Sequence, residues 1–140
     1  MGRGKLTERE IEILQKNPFV KSVSESRIVY TENFKKLFIK EYFEGHTPME
    51  IFEDAGFEVE VIGSKRIERA SARWRELNAS GHLGEAVEAN RFYKNNRTKR
   101  EHLKQTVAYQ KKEFEHLKKE IEKLQHRVEE LETQQAQQHN

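Results

Sequence analysis

Residues 64–77 read SKRIERASARWREL and predict a basic amphipathic helix. At 3.6 residues per turn, its apolar side chains fall on one stripe and its cationic side chains share an adjacent face. The stripe consists of Ile67, Ala70, Trp74 and Leu77, and the adjacent face carries Lys65, Arg66, Arg69 and Arg73. Ser64 is expected to cap the helix after a turn at Gly63. The pattern therefore predicts a helix with one side in a core and a cationic side in solvent.

A helix of this kind is typical of DNA recognition helices, whose cationic side meets the DNA. Under this interpretation Lys65 and Arg75 would bind phosphates. The candidate base readers are Arg66, Arg69 and Arg73. Trp74 is expected in the core rather than stacked on a base, because it lies at the centre of the apolar stripe. The alternative interpretation is a solvated surface helix in which arginine serves only helix propensity.

The segment before this helix predicts the rest of a three-helix domain at residues 31–77. Residues 31–44 form a strong helix pattern, with Thr31 as its cap, Gly45 at its end and a wide aromatic face. Residues 47–55 begin with a capping box and a proline at the first helical position, and Gly56 ends them. Residues 57–62 are expected to be extended or to form a single turn. The predicted fold is a mainly α, homeodomain-like helix-turn-helix (HTH) with a lengthened connection before its third helix.

Residues 1–30 are expected to pack on this domain as a short helix and a β-hairpin. Thr7 and Glu10 have the spacing of a capping box, and Leu6 and Ile11 have that of a hydrophobic staple. Asn17-Pro18 would end the helix after residue 16. Two apolar runs within residues 19–30 flank the polar turn Ser24-Glu25-Ser26 and predict the hairpin.

The segment after the domain predicts a linker and a coiled coil. Residues 78–97 begin with the glycine-containing run NASGHLG and continue as a basic connector. Residues 85–96 of this connector could form a helix, which Asn95-Asn96 would weaken. Thr98 and Glu101 have capping-box spacing, so a helix is expected from residue 98 to residue 132. Apolar residues there alternate at spacings of four and three, with leucine at d, and this pattern favours a parallel two-stranded coiled coil. The predicted dimerisation residues are Leu103, Val107, Phe114, Leu117, Ile121, Leu124, Val128 and Leu131.

Charge pairs across the seam agree with a parallel dimer. Glu113 would face Lys118 of a second copy, and Arg127 would face Glu132. Gln110 occupies a d position alone, where it would fix the register at some cost in stability. The alternative is a single amphipathic helix that folds back on the domain. The glutamine-rich residues 133–140 are expected to be a disordered tail.

Composition limits the possible chemistry. The chain has 140 residues, of which 34% are hydrophobic and 36% charged, and it has no cysteine. Its mean hydropathy is −1.00, so one core spanning the whole chain is not expected. No apolar run approaches the roughly 20 residues of a membrane span, and the first residues lack a signal-peptide core. We therefore expect a soluble, cytoplasmic protein without membrane partners.

Charge is concentrated near the predicted recognition helix. Residues 64–104 carry 11 basic and 5 acidic side chains, whereas residues 1–63 carry 9 basic and 12 acidic ones. A local excess of this kind favours a polyanionic partner.

No catalytic or metal-binding pattern is evident. A metal-dependent DNA-cutting site of the DDE type needs two aspartates and a glutamate, and Asp54 is the only aspartate in the chain. We expect Asp54 at the surface near a helix end. The six histidines lack the spacing of metal ligands. The expectation is a protein that is not an enzyme by itself and that needs no metal or cofactor.

In these features the chain resembles the first-frame, OrfA-type subunit of insertion-sequence transposases of the IS-three group. The resemblance extends over most of residues 5–132 and is carried by the segments LTEREIEILQKNPFVKSVSESRIVYT, FKKLFIKEYFEG, TPMEIFEDAGF, IGSKRIERASARWRE and HLKKEIEKLQHRVEEL. Residues 85–100 match no part of that pattern. The resemblance implies binding to the terminal inverted repeats of a mobile element in a bacterial, nucleoid-associated setting. It also implies that a separate or frameshift-fused chain supplies catalysis and is a candidate partner.

Two other functions fit the same residues. A stand-alone transcriptional repressor would have the same DNA-binding activity, and an overlapping reading frame that encodes a DDE domain would distinguish the two. A coiled-coil interaction protein with a vestigial HTH would not bind DNA at all.

Overall fold

The computed structural model describes residues 4–138, which form eight helices and strands. The chain divides into two compact units, Met1–Arg100 and Glu101–Asn140. The first contains all of the helices and strands except most of the last helix. In the described residues, no helix is both long and apolar enough to cross a lipid bilayer.

The first unit begins with the predicted helix and hairpin. Helix α1 spans Glu8–Gln15, and the reciprocal hydrogen bonds of the Thr7–Glu10 capping box are both present. Strands β1 (Val20–Val23) and β2 (Ile28–Tyr30) pair antiparallel, with an irregularity between Val20 and Ser22. A two-stranded hairpin is marginal alone, and this one is stabilised by Phe19 and Tyr30, which are buried in the domain core.

Three further helices and one short turn complete the HTH. Helix α2 spans Glu32–Phe43, α3 spans Pro48–Asp54, α4 is a single turn at Val59–Ile62, and α5 spans Ser64–Ala79. These bounds confirm the mainly α, homeodomain-like prediction. Of the two forms expected for the connection, extended or a single turn, α4 is the single turn.

The cap of α5 differs from the prediction. Gly63 is the N-cap and Ser64 is already the first helical residue, with no side-chain cap. Gly63 also ends α4, where its N–H donates to the Val59 carbonyl at 2.8 Å. One residue therefore serves both helices, and its φ of +88° is a conformation that favours glycine.

Aromatic side chains from the helices of the HTH and from β2 meet in the core. Trp74 of α5 is 1% exposed, which confirms its predicted place in the core. Its ring centroid lies 5.2 Å from that of Phe38 in α2 and 6.0 Å from that of Phe52 in α3. Tyr30 of β2 joins this group edge-on, 5.2 Å from Trp74. The core thus fixes α5 by one face and leaves the opposite face in solvent.

The last helix, α6, begins earlier than predicted. It spans Arg91–Gln138, and the Asn90 side chain accepts the N–H of Tyr93 at 2.9 Å as a cap. We expected the start at Thr98, but the Thr98 hydroxyl donates to the Lys94 carbonyl inside the helix. Tyr93 is fully buried, so the first turns of α6 belong to the first unit.

An ion-pair cluster fixes these turns and corrects the expectation of a surface Asp54. Asp54 is completely buried, and its carboxylate accepts the Nε of Arg97 at 3.1 Å and the Nε of Arg100 at 2.6 Å. Arg97 also binds the buried Glu41 of α2, and Arg100 binds Glu50 of α3 at 3.2 Å. Burial would lower the pKa of Arg97, but its hydrogen bonds to the two carboxylates outweigh burial and raise that pKa. Arg97 therefore remains charged within the cluster.

The second unit consists of the rest of α6 from Glu101. The predicted dimerisation residues share one stripe, and their exposed fractions run from 48% at Leu131 to 66% at Phe114. The helix continues to Gln138 through most of the segment expected to be disordered, while residues 139–140 lie outside the described part. Glutamine and alanine have high helix propensity, and extending an existing helix is far easier than starting one.

Candidate nucleic-acid interface

The cationic face of α5 has the arrangement that helical periodicity predicts. Arg66, Arg69 and Arg73 follow one another at spacings of three and four residues, beside the buried stripe of Ile67, Ala70 and Trp74. Arg69 and Arg73 are exposed and have no hydrogen-bond or ion-pair partner among residues 4–138. Their guanidinium groups are therefore free to bind a ligand.

These arginines line a cleft that α5 forms with the hairpin and α2. The cleft has a volume of about 320 Å³. Within residues 4–138, its lining includes five cationic side chains and no carboxylate. The cations are Arg27, Lys35, Arg66, Arg69 and Arg73. Such a concentration of one charge sign makes this surface attractive to a polyanion.

Sequence reasoning did not single out Arg27 or Lys35. Arg27 closes the hairpin turn, where its carbonyl accepts the N–H of Ser24 at 2.8 Å. Lys35 lies in α2 and pairs with Glu32 at 3.0 Å. The sequence places Arg27 at the end of a hairpin turn, but this position does not predict which helix the turn packs beside.

Tyr30 lies in the wall of this cleft. Burial raises the pKa of its phenol, and the positive charges of Arg66 and Arg73 oppose that rise. Tyr30 therefore stays neutral and offers a hydroxyl rather than a charge. The ring packs against Trp74, so the cleft rests on the domain core.

Arg66 is more constrained than the other two arginines of the face. Its guanidinium donates to the Ile62 carbonyl at 3.2 Å and to the Gly4 carbonyl at 2.9 Å. Both acceptors are neutral backbone groups, so its positive charge is not neutralised. These bonds hold Arg66 near the start of α5.

The two predicted phosphate anchors occupy different places on α5. Lys65 is exposed in the first turn, beside a helix start that has no side-chain cap. Arg75 lies on another side of α5, where its guanidinium stacks on the Tyr42 ring at 5.0 Å and donates to the Ser71 carbonyl. The structure thus brings together Arg66, Arg69 and Arg73 but not Arg75.

One cluster of acidic and histidine side chains lies at the end of α2. Ligand atoms of Glu41, Glu44 and His46 are within 4.8 Å of one another. Glu41 binds Arg97, and Glu44 binds Lys40 at 2.8 Å. Cations of the same domain thus already neutralise both carboxylates.

A three-helix fold with a basic, outward-facing third helix defines an HTH protein of the DNA-binding class. The chain belongs to the family of transposon-related HTH domain proteins, whose pattern matches residues 1–128. DNA is therefore its partner in a transposase context. Comparisons with curated proteins and with solved structures found no match.

Proposed function

We propose that this protein is the DNA-recognition subunit of a transposase and binds the terminal inverted repeats of an insertion sequence. The observation that carries this proposal is the row of Arg66, Arg69 and Arg73 on α5, anchored from behind by Trp74. A major groove about 12 Å wide admits an α-helix, and arginine can donate two hydrogen bonds to one guanine there. Arg69 and Arg73, which have no hydrogen-bond or ion-pair partner among residues 4–138, therefore have the chemistry that reading bases requires, and Arg66 adds its charge to the same row.

Phosphate binding at the start of α5 would orient the helix. The first N–H groups of α5 have no side-chain cap, and Lys65 lies beside them. Helix starts of this kind favour anions because their N–H groups and the helix dipole both point to the ligand. Lys65 and the helix start would together position the base-reading row without reading sequence.

The proposed active form is a parallel homodimer through α6. An exposed apolar stripe of this length marks an interaction surface. Leucines at d, with β-branched residues at three of the four a positions, favour two parallel strands. Two copies would present two recognition helices to the two halves of a site.

Catalysis would come from a second chain. The single aspartate of this protein is already bound by two arginines in the domain core, so it is not available for a metal-dependent cutting site. The family assignment supports a role in transposition over a stand-alone repressor.

A binding titration tests the proposal. The full chain is titrated against a fluorescent duplex that carries the terminal repeat flanking its gene, and against a scrambled duplex of the same composition. Specific binding should be at least about 10³-fold tighter at near-physiological salt. Equal affinities would contradict sequence recognition, and no binding even at low salt would favour the interaction-protein alternative.

A further inference from the structure

The cleft beside α5 includes two cations that do not belong to the recognition helix. Arg27 comes from the hairpin and Lys35 from α2, and both line the same cleft as Arg69 and Arg73. An HTH needs neither a hairpin nor a cation on it to place its recognition helix. Packing of Tyr30 in the core accounts for the hairpin itself, but it does not account for the cation at the hairpin turn.

We propose that the hairpin is a second DNA-contacting element, in which Arg27, supported by Lys35, binds the phosphate backbone beside the groove that α5 enters. This inference rests on the proposed function, because it takes α5 to lie in the major groove. It assigns a contact outside the HTH and a role to two residues that are not on α5.

The position of the hairpin supports a backbone contact rather than a base contact. A helix fills most of the width of the major groove. An element that flanks the helix therefore meets the phosphates along the groove edge. Arg27 and Lys35 line the same cleft as the arginine row, but they come from the hairpin and from α2 rather than from α5.

The number of charges favours a run of phosphodiesters over a single anion. Five cations line the cleft. Within the described residues, Lys35 is the one cation among them that pairs with a carboxylate, that of Glu32. One phosphate group carries at most about two negative charges, which would leave most of these cations unmatched. A duplex carries one charge per roughly 1.7 Å of its axis and offers several phosphates at this spacing.

The hairpin is held firmly enough to serve as a contact. The Glu25 carbonyl in the turn accepts the N–H of Leu6 at 2.6 Å, and the Phe19 carbonyl accepts the N–H of Thr31 at 2.8 Å. Leu6, Phe19 and Tyr30 are all buried. Arg27 is therefore presented by a fixed turn, so binding requires less ordering of the chain.

Salt-dependent binding of the full chain to a random-sequence 20-bp duplex tests the inference. Phosphate contacts do not depend on sequence, so no cognate site is needed. For Arg27→Ala, the slope of log K against log salt between 50 and 200 mM should flatten by about 0.9. For Lys35→Ala the slope should flatten by less, because Glu32 already pairs with Lys35. Arg27→Gln should flatten it as much as Arg27→Ala, because the charge is what matters.

Two neighbouring lysines provide matched controls. Lys21 is exposed on β1 of the same hairpin, and Lys36 follows Lys35 on α2 but lies beside Gly84. Neither lines the cleft, so Lys21→Ala and Lys36→Ala should leave the slope unchanged. Thermal melting of each variant shows whether it is folded.

The outcomes separate this inference from the proposed function. Unchanged slopes for the Arg27 and Lys35 variants, with cognate binding still weakened in Arg69→Ala, would overturn the hairpin contact alone. Equal flattening in the two control variants would also overturn it, because the slope would then depend on the net charge of the protein rather than on contacts made by Arg27 and Lys35. A wild-type chain that does not bind any duplex would overturn both proposals.

Discussion

Asp54 shows how a single residue organises the first unit. Its carboxylate is completely buried at the end of α3 and is bound by Arg97 and Arg100, which come from the first turns of α6. The Asn96 side chain adds a hydrogen bond to the Asp54 carbonyl at 3.0 Å. Because these partners surround one carboxylate, its loss would leave two arginines without their main counter-charge.

We predict that Asp54→Ala lowers the free energy of unfolding by about 3–5 kcal/mol, since removing one member of a buried ion pair leaves the others uncompensated. Urea unfolding of the full chain, followed by circular dichroism, measures this loss. Glu53→Ala is the control, because Glu53 is the exposed neighbour and should change stability little. Equal midpoints for the two variants would contradict a structural role for the cluster.

The same residue shows why some features could not be predicted from sequence. Asp54 and its arginine partners are separated by 43 and 46 residues, and no local pattern relates positions so far apart. The prediction for Trp74 succeeded because the helix period alone places it at the centre of the stripe. The cleft cations Arg27 and Lys35 resemble Asp54 in this respect, since only the packing of the hairpin and of α2 brings them to α5.

At the scale of elements, the capping box of α3 joins local structure to the ion-pair cluster. The Thr47 hydroxyl accepts the N–H of Glu50 at 3.2 Å, and the Glu50 carboxylate accepts the N–H of Thr47 at 3.0 Å. The second carboxylate oxygen of Glu50 binds Arg100. The backbone hydrogen bond from Thr47 is the main cause of a lowered pKa for Glu50, and the charge of Arg100 adds to it.

This lowered pKa predicts a pH-dependent contribution to stability. A carboxylate whose folded pKa is depressed stabilises the fold above its ordinary pKa, here 4.5, and that contribution is lost as the pH falls through the lowered value. Wild-type Tm should therefore exceed that of Glu50→Gln at pH 7, and the difference should shrink towards pH 3. Melting curves across this range measure it, with the exposed Glu58→Gln as control. A Tm difference that stays constant with pH would contradict a stabilising contribution from the charge of Glu50.

Element boundaries were predictable where the signal was local. The capping boxes of α1 and α3 lie at the predicted residues. The start of α6 was missed because the T-x-x-E spacing at Thr98 occurs inside a helix that Asn90 already caps. Burial of Tyr93 then stabilises the first turns of α6. This burial depends on tertiary packing, so no periodic pattern in the sequence predicts it.

At the scale of the whole molecule, the proposed dimer would assemble through the exposed apolar stripe of the second unit. Ile121 at an a position is 55% exposed in the single chain. We predict that Ile121→Asp gives monomers at micromolar concentration, because a dimer would bury an unpaired charge at its seam. Sedimentation measures the mass. Ala108→Asp introduces the same charge at an outward heptad position and should remain dimeric. If Ile121→Asp were also dimeric, Ile121 would not lie at the dimer interface.

Recognition of DNA sequence by α5 is the central claim, and the binding of two alanine variants tests it most directly. Arg69→Ala and Lys65→Ala are titrated at several salt concentrations against a random duplex and a cognate duplex selected from a random pool. Arg69→Ala should lose about 1–3 kcal/mol on the cognate duplex and much less on the random one. Lys65→Ala should weaken both about equally and flatten the slope of log K against log salt by roughly 0.9. Equal losses on both duplexes for Arg69→Ala would reduce that residue to a phosphate anchor, and no loss for either variant would contradict the claim that α5 reads DNA.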